Sequence, residues 1–156
     1  MPSSEQSKRL NDFAEEVLQL SQQVWALESK TKGKEHPDIS ETEFLTLDLL
    51  SRSQPQTVGD LQRQIGVLPA QMSRIIRALE NKAEGPLITC RINSQDKRKV
   101  DVELTRAGAQ SHQAYRRVKL GSIQEMLLTL PEQDRDDLMR ILHLLGAKNR
   151  KPIENK

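Results

Sequence analysis

The chain has 156 residues, of which 35% are apolar and 29% are charged, and its formal net charge is +2. This length fits one ordinary domain, and no apolar run approaches the roughly 18 residues that a membrane span requires. The N-terminus lacks the layout of a secretory signal, and the single cysteine, Cys90, excludes an internal disulfide framework. We therefore expect a cytoplasmic protein that uses no metal or other cofactor and does not bind membranes.

The charges are unevenly spread along the chain. Residues 1–56 carry six Lys and Arg against ten Asp and Glu, whereas residues 63–100 carry eight against three. A basic middle segment favours a surface that binds a polyanion, although ordinary solvated surfaces show the same pattern.

The first predicted helix runs from Ser4 to about Ser29, a stretch without Gly or Pro. Its apolar residues recur at alternating spacings of three and four, which is a heptad seam. About 26 residues give a helix of roughly 39 Å, which is longer than a small domain is wide. The seam can therefore be buried if another chain supplies the partner surface. The seam residues are Leu10, Phe13, Val17, Leu20, Val24 and Leu27.

A linker over residues 31–38 leads to the second helix, for which Ser40 and Glu43 form a predicted capping box. Thr57 caps a short third helix that ends at Gly66, where glycine allows the left-handed backbone of a turn. Pro69 then takes the favoured first position of a fourth helix, which extends to about Lys82. The apolar residues that suit two steeply crossing helices are Leu61, Ile65, Val67, Met72 and Ile75. This spacing predicts a helix-turn-helix.

The fourth helix has two different faces at 100° per residue. Met72, Ile76 and Leu79 form an inward stripe. The opposite side carries small, amide and guanidinium groups, with Ser73 on its flank. Arg can bond guanine and Gln can bond adenine with two hydrogen bonds each, so this face suits the DNA major groove, whereas a solvated helix face is the alternative. The opposite residues are Ala70, Gln71, Arg74, Arg77 and Asn81.

Beyond residues 83–86 the apolar period changes to two, over Ile88–Ile92 and over Val100–Leu104. This pattern predicts a β-hairpin with a cationic tip at Lys97, Arg98 and Lys99, which could reach a minor groove. We expect Asp96 to pair with Arg98 or with a neighbouring Arg.

Cys90 lies on the inward side of the first predicted strand. With no adjacent base it is expected to be an inert core thiol, the alternative being a redox switch. Thr105 and Pro131 begin two further helices, which extend to about Leu130 and Leu145. The histidines are expected to be surface or partly buried residues, because their spacings suit neither a metal site nor a nucleophile-base pair. They are His36, His112 and His143.

The stretch from Ser40 to Gly108 resembles the MarR family of winged helix-turn-helix transcriptional regulators. The most specific match is the wing motif Asp96-x-Arg98, followed by Leu104-Thr105-x-x-Gly108. The resemblance implies a mainly α fold with a small β-hairpin wing (α+β). It also implies three parts: an N-terminal dimerisation helix and linker over 1–39, a DNA-binding domain over 40–104, and C-terminal dimerisation helices and tail over 105–156.

The resemblance implies a homodimeric repressor that binds a palindromic operator in double-stranded DNA and is released by a small aromatic ligand. The expected DNA-binding residues are Thr57, Ala70, Gln71, Ser73, Arg74, Arg77, Lys97, Arg98 and Lys99. The expected dimer interface includes Leu10, Phe13, Val17, Leu138, Ile141 and Leu145. The expected ligand pocket contains Trp25, Phe44, His112, Tyr115 and Arg116.

Two other classes of function compete with this interpretation. A winged helix can serve as a protein-interaction module whose basic face meets an acidic partner. An enzyme is disfavoured, because the sequence shows no paired carboxylates, phosphate-binding glycine loop or Ser/Cys–His arrangement.

Overall fold

The computed structural model describes residues 3–31 and 38–149. Most of the predicted linker, with His36, lies outside these ranges. The observed order confirms the predicted fold, which is mainly helical with a small wing. The elements are α1 (Ser4–Thr31), α2 (Glu41–Arg52), β1 (Gln56–Thr57), α3 (Val58–Ile65), α4 (Pro69–Glu80), β2 (Ile88–Ile92), β3 (Val100–Leu104), α5 (Arg106–Leu128) and α6 (Glu132–Asn149).

The wing is a three-stranded antiparallel sheet in the order β1-β3-β2. The sequence analysis predicted only β2 and β3, because β1 has two residues and carries no alternating pattern. Cys90 pairs with Val102 in the register, and Val102 and Ile88 are fully buried. Ile92 is 69% exposed, so its predicted inward position is wrong. The alternation fails there because the tip end of the hairpin has no core beneath it.

The chain divides into two compact units. The helical unit comprises Met1–Trp25 and Leu120–Lys156, and the winged unit comprises Ala26–Lys119. The division falls inside α1 and inside α5. Every buried apolar side chain of the described residues belongs to the winged unit, where α2, α3, α4 and the sheet pack together. The fully buried apolar members are Leu47, Leu50, Leu61, Met72, Leu79, Ile88 and Val102.

Local capping sets the starts of α2 and α3. The Thr57 hydroxyl accepts a hydrogen bond from the Asp60 amide (3.0 Å), and the Asp60 carboxylate accepts one from the Thr57 amide (3.3 Å). The Thr57 hydroxyl bond chiefly lowers the pKa of Asp60. At α2 the Ser40 hydroxyl accepts from the Glu43 amide, but the Glu43 carboxylate lies 2.6 Å from Lys82 Nζ. Only half of the predicted capping box is therefore found at α2.

Gly66 and Gly108 are two positions where the fold requires glycine. Gly66 ends α3 with a φ of 78°, in the left-handed region that redirects the chain into α4. A Cβ at Gly108 would lie 1.9 Å from the Leu87 carbonyl oxygen, so the start of α5 can approach β2 only without a side chain. Thr105 holds the same junction, since its hydroxyl donates to the Pro86 carbonyl and accepts from the Gly108 amide. This contact is the physical reason for the Leu-Thr-x-x-Gly motif.

The helical unit differs from the winged unit in burial. None of its described side chains is buried, and large apolar side chains remain exposed on all three of its helical segments. In α1, the side chains of Leu10, Phe13 and Val17 are 66%, 62% and 67% exposed. In α6, Ile141 and Leu145 are exposed, whereas Leu138 is half-buried.

Candidate nucleic-acid interface

The helix α4 presents one face to the core and the other to solvent, in the predicted orientation. Met72, Ile75, Ile76 and Leu79 are buried, because the period of 3.6 residues places them over α2, α3 and the sheet. Pro69 at the first helical position and the Asn81 cap mark its ends. The exposed residues are Ala70, Gln71, Ser73, Arg74 and Arg77.

The guanidinium groups of α4 are available to an external anion. Within the described part of the chain, the side chains of Arg74 and Arg77 form no salt bridge or hydrogen bond, and both are exposed. Guanidinium is weakly hydrated and presents a fork of donors that matches phosphate and guanine geometry. The exposed face of α4 therefore has the chemistry of a reader of base edges.

The wing carries Arg98 in a defined orientation. Arg98 Nε lies 3.1 Å from Asp96 Oδ1, so the expected ion pair between these residues is present. The hydrogen bond from the Arg98 side chain is the main cause that lowers the pKa of Asp96. The Arg98 side chain is nonetheless 91% exposed, and Lys97 and Lys99 beside it are exposed as well. The tip thus presents three cations to solvent.

A recess of about 620 Å³ lies between the start of α3, the helix α4 and the wing. Four cationic side chains line it, against one carboxylate, from Glu80. The sequence analysis missed Arg63 in this position, which can be found only once α3 is placed beside the wing. The cations are Arg63, Arg77, Arg98 and Lys99. The recess therefore joins α4 and the wing into one positively charged concave surface.

Cys90 lies on the wall of this recess and is only partly buried. The Glu80 carboxylate lines the same recess. Burial, together with this neighbouring negative charge, raises the pKa of Cys90 to about 12. Thiolate is the reactive form, so the expected inertness of this thiol follows from the raised pKa rather than from isolation in the core.

A buried carboxylate, Asp48, organises the contact between α2 and α5. Its Oδ1 lies 2.8 Å from His112 Nε2 and 3.1 Å from Arg116 Nη1, and its Oδ2 lies 2.5 Å from Arg52 Nη2. Burial alone would raise the pKa of Asp48, but the hydrogen bond with His112 and the nearby arginine charges outweigh it and lower the pKa. The expectation of a surface or partly buried histidine is therefore wrong for His112, which is 6% exposed.

The five residues predicted to form a ligand pocket do not all belong to the same unit. Phe44 stacks on His112 with ring centroids 5.5 Å apart and contacts Tyr115 at 4.9 Å, and all three are buried in the winged unit. Lys119 Nζ lies 5.1 Å from the Phe44 ring centroid. Arg116 is exposed, whereas Trp25 belongs to the helical unit and is 62% exposed. The structure thus brings three of the five into one packed aromatic cluster.

A membrane-spanning helix or a metal site would indicate other classes of function. No described helix is both long and apolar enough to cross a membrane. No group of three or more His, Cys, Asp or Glu side chains in the described ranges could hold a metal ion.

A helix-turn-helix followed by a sheet with a cationic hairpin tip defines the winged helix-turn-helix class of DNA-binding proteins. Residues 39–100 match the family model described as MarR family. Through this segment the chain is similar to the MarR family. A comparison with curated proteins found no match.

Solved structures share the fold over nearly the whole chain. YusO from Bacillus subtilis is 20% identical with a TM-score of 0.68, covering 94% of this chain and 99% of that chain. FabT from Streptococcus pneumoniae, in complex with DNA, is 20% identical with a TM-score of 0.68, covering 90% and 95%. PcaV from Streptomyces coelicolor, in complex with its natural ligand, is 14% identical with a TM-score of 0.62, covering 94% and 98%.

Proposed function

We propose that this protein is a homodimeric repressor that binds a palindromic operator through α4 and the wing. The observation that carries the proposal is the basic recess, which places the exposed arginine of α4 and the exposed arginine of the wing around one concavity. A curved surface with cations on both walls fits a duplex, because a phosphate backbone lies between adjacent major and minor grooves.

The exposed face of α4 is proposed to enter the major groove. Arg74 can donate two hydrogen bonds to guanine, and Gln71 can pair with the edge of adenine. The short side chains of Ala70 and Ser73 allow the helix axis to approach the bases closely. Arg77 adds a further donor on the wall that faces the recess. Specificity in this proposal therefore comes from α4.

The wing and the start of α3 are proposed to bind the backbone and the neighbouring minor groove. Arg98 is the side chain that reaches the minor groove, where narrow width concentrates negative potential. Lys97 and Lys99 contact phosphates and supply affinity without sequence preference. Thr57 caps α3, whose amino-terminal backbone dipole favours a phosphate group.

Residues 1–39 and 105–156, which include the helical unit, are proposed as the dimerisation segments around the DNA-binding segment 40–104. Large apolar side chains on α1 and α6 are exposed in the single chain, and burying them in a second copy would be favourable by about 25 cal/mol per Å². A two-fold dimer presents two copies of α4, which is why the operator is expected to be palindromic. The contact residues proposed are Leu10, Phe13, Val17, Leu138, Ile141 and Leu145.

A small aromatic effector completes the proposal. PcaV was solved with its natural ligand, so a protein of this fold can bind a ligand. In this chain the aromatic cluster of Phe44, His112 and Tyr115 adjoins the exposed cation of Arg116. These residues offer aromatic rings and a positive charge, the chemistry that recognises an aromatic acid.

The test is selection of duplexes from a random pool by the full-length protein, repeated at several salt concentrations. We expect an inverted repeat with half-site centres about 10 base pairs apart, and an affinity that falls steeply with salt. Failure to enrich any duplex would contradict the proposal. Binding that instead follows one acidic protein partner would favour the protein-interaction module.

A further inference from the structure

The tip of the wing is organised by the side chain of Asn93, the residue that follows β2. Its carbonyl oxygen accepts hydrogen bonds from the backbone amides of Gln95 and Asp96, both at 2.9 Å. Asn93 is half-buried, although the hairpin end around it is exposed. One side chain therefore holds two successive amides of the turn, as an Asx turn does.

The other end of the same amide group is attached to the sheet. Asn93 Nδ2 donates to both carboxylate oxygens of Asp101, at 2.9 and 3.0 Å. Asp101 belongs to β3, the central strand, and pairs in register with Thr57 of β1 and Arg91 of β2. The turn is thus anchored to the part of the wing that is held by strands on both sides.

This anchored turn also orients the wing arginine. Asp96 Oδ1 accepts from both the backbone amide and the Nε of Arg98, each at 3.1 Å, and Oδ2 accepts from Nη2 at 3.3 Å. The Asp96 carbonyl accepts from the Lys99 amide, and the Lys99 carbonyl accepts from the Asn93 amide. A continuous set of hydrogen bonds therefore runs from Asp101 through Asn93 and Asp96 to the Arg98 guanidinium.

We infer that Asn93 is a positioning residue for DNA binding, which holds Arg98 in the orientation that the minor groove requires. This inference rests on the proposed function. An arginine on a free loop must lose rotamer and backbone freedom when it binds, and that loss weakens the complex. Asn93 removes part of this cost beforehand, because it orders the turn in the unbound protein.

The test measures binding of the duplex that the wild-type protein selects from the random pool. Asn93→Ala is expected to weaken binding about three- to tenfold, the range of one or two net hydrogen bonds. Arg98→Ala is expected to weaken it at least as much. In the Arg98→Ala background, Asn93→Ala should have a smaller effect, because the main group that it positions is gone. Ser94→Ala, at the exposed neighbouring residue, is the control and should bind as the wild type does.

Two readouts separate positioning from a general loss of structure. Asn93→Ala should relax sequence preference at the same base pairs as Arg98→Ala, and it should accelerate hydrogen exchange at the Gln95 and Asp96 amides in the free protein. The exchanged pair N93D/D101N offers a rescue at unchanged net charge. N93D alone places two carboxylates beside each other and should weaken DNA binding. The double variant restores a hydrogen-bond donor opposite an acceptor and should recover most of the affinity.

The inference is overturned if Asn93→Ala binds DNA as the wild type does. It is also overturned if the fold-losses in affinity of Asn93→Ala and Arg98→Ala multiply in full in the double variant, or if N93D/D101N binds no better than N93D. These outcomes all require a wild-type protein that binds duplex DNA. If the wild-type protein enriches no duplex, the proposed function itself fails, and the inference fails with it. The two failures are therefore distinguished by the wild-type result.

Discussion

The winged unit and the helical unit place their apolar residues in opposite environments. In the winged unit, α2, α3, α4 and the sheet surround a core whose members Leu47, Leu61 and Met72 are fully buried. In the helical unit, no described side chain is buried, and Phe13 is 62% exposed. The winged unit therefore forms a buried core within a single chain. The helical unit instead exposes an apolar surface, which we propose a second copy covers.

The largest expected effect is on the helical unit. Phe13→Glu places a carboxylate on the apolar seam in each copy, and burying two such charges would cost about 5 kcal/mol or more. We expect the protein to become monomeric at micromolar concentration, as measured by analytical ultracentrifugation. Gln22→Glu, on α1 but off the seam, is the matched control and should remain dimeric. A Phe13→Glu protein that stays dimeric would show that this seam is not the interface.

The next effect is in the core of the winged unit. Leu61→Ala removes a fully buried side chain and should lower the free energy of unfolding by about 2–5 kcal/mol, since a cavity remains. Leu68→Ala changes the same residue type in the same helix-turn-helix, but Leu68 is 73% exposed, so the loss should stay within about 0.5 kcal/mol. Urea denaturation at one protein concentration compares the two variants. Equal losses would mean that burial does not decide stability here.

A smaller effect is expected at Asp48, where α2 meets α5. Asp48→Asn removes the charge that His112 and Arg116 contact, and it should lower the free energy of unfolding at pH 7 by about 1–3 kcal/mol. The pKa of Asp48 is lowered in the folded state, so its contribution is present above the unfolded-state pKa near 3.8 and is lost as pH falls below it.

Repeating the stability measurement at lower pH tests whether the ionised Asp48 carboxylate causes the difference. The difference between wild type and Asp48→Asn should shrink when urea denaturation is repeated at pH 5, 4 and 3, because acidification protonates the wild-type carboxyl. Asp38→Asn, at an exposed carboxylate of the same unit, should match the wild type at every pH. A constant difference between wild type and Asp48→Asn down to pH 3 would contradict the assignment.

Effects of similar or smaller size separate the two proposed DNA-binding surfaces of the winged unit. Arg74→Ala should cost about 1–3 kcal/mol on the selected duplex and relax preference at one base pair per half-site. Lys97→Ala should weaken all duplexes alike and reduce the slope of log affinity against log salt by about 0.9 for each phosphate that is no longer neutralised. Fluorescence anisotropy over a salt series measures both. If both variants bound the selected duplex as the wild type does, the proposed face would be incorrect.

The parts of the fold that were predicted correctly depend on residues close in sequence. The Thr57 cap and the left-handed Gly66 involve neighbours within one helical turn, and the two faces of α4 follow from the helical period alone. Asp96 and Arg98 are two residues apart, so their pairing was also accessible. The anchor between Asn93 and Asp101 spans eight residues across a hairpin and was missed, because it depends on the register of the strands.

The remaining features depend on contacts between distant segments. Asp48 lies 64 residues from His112, and a lone acid in an apolar helix gives no signal of its partner. Likewise, Cys90 alternates with Ile88 and Ile92 as a core residue would, yet it lines, together with Glu80, a recess that exists only after α4 and the wing are brought together.

The amino-acid sequence by itself determined where the helices start, the exposed face of α4, the cationic tip and the family resemblance, because capping, periodicity and turn formation act over a few residues. Only the tertiary structure decided which polar groups are buried together, how the wing tip is anchored and where cations from three elements meet. The physical reason is that burial and hydrogen bonding between remote segments depend on packing geometry, which no local pattern encodes.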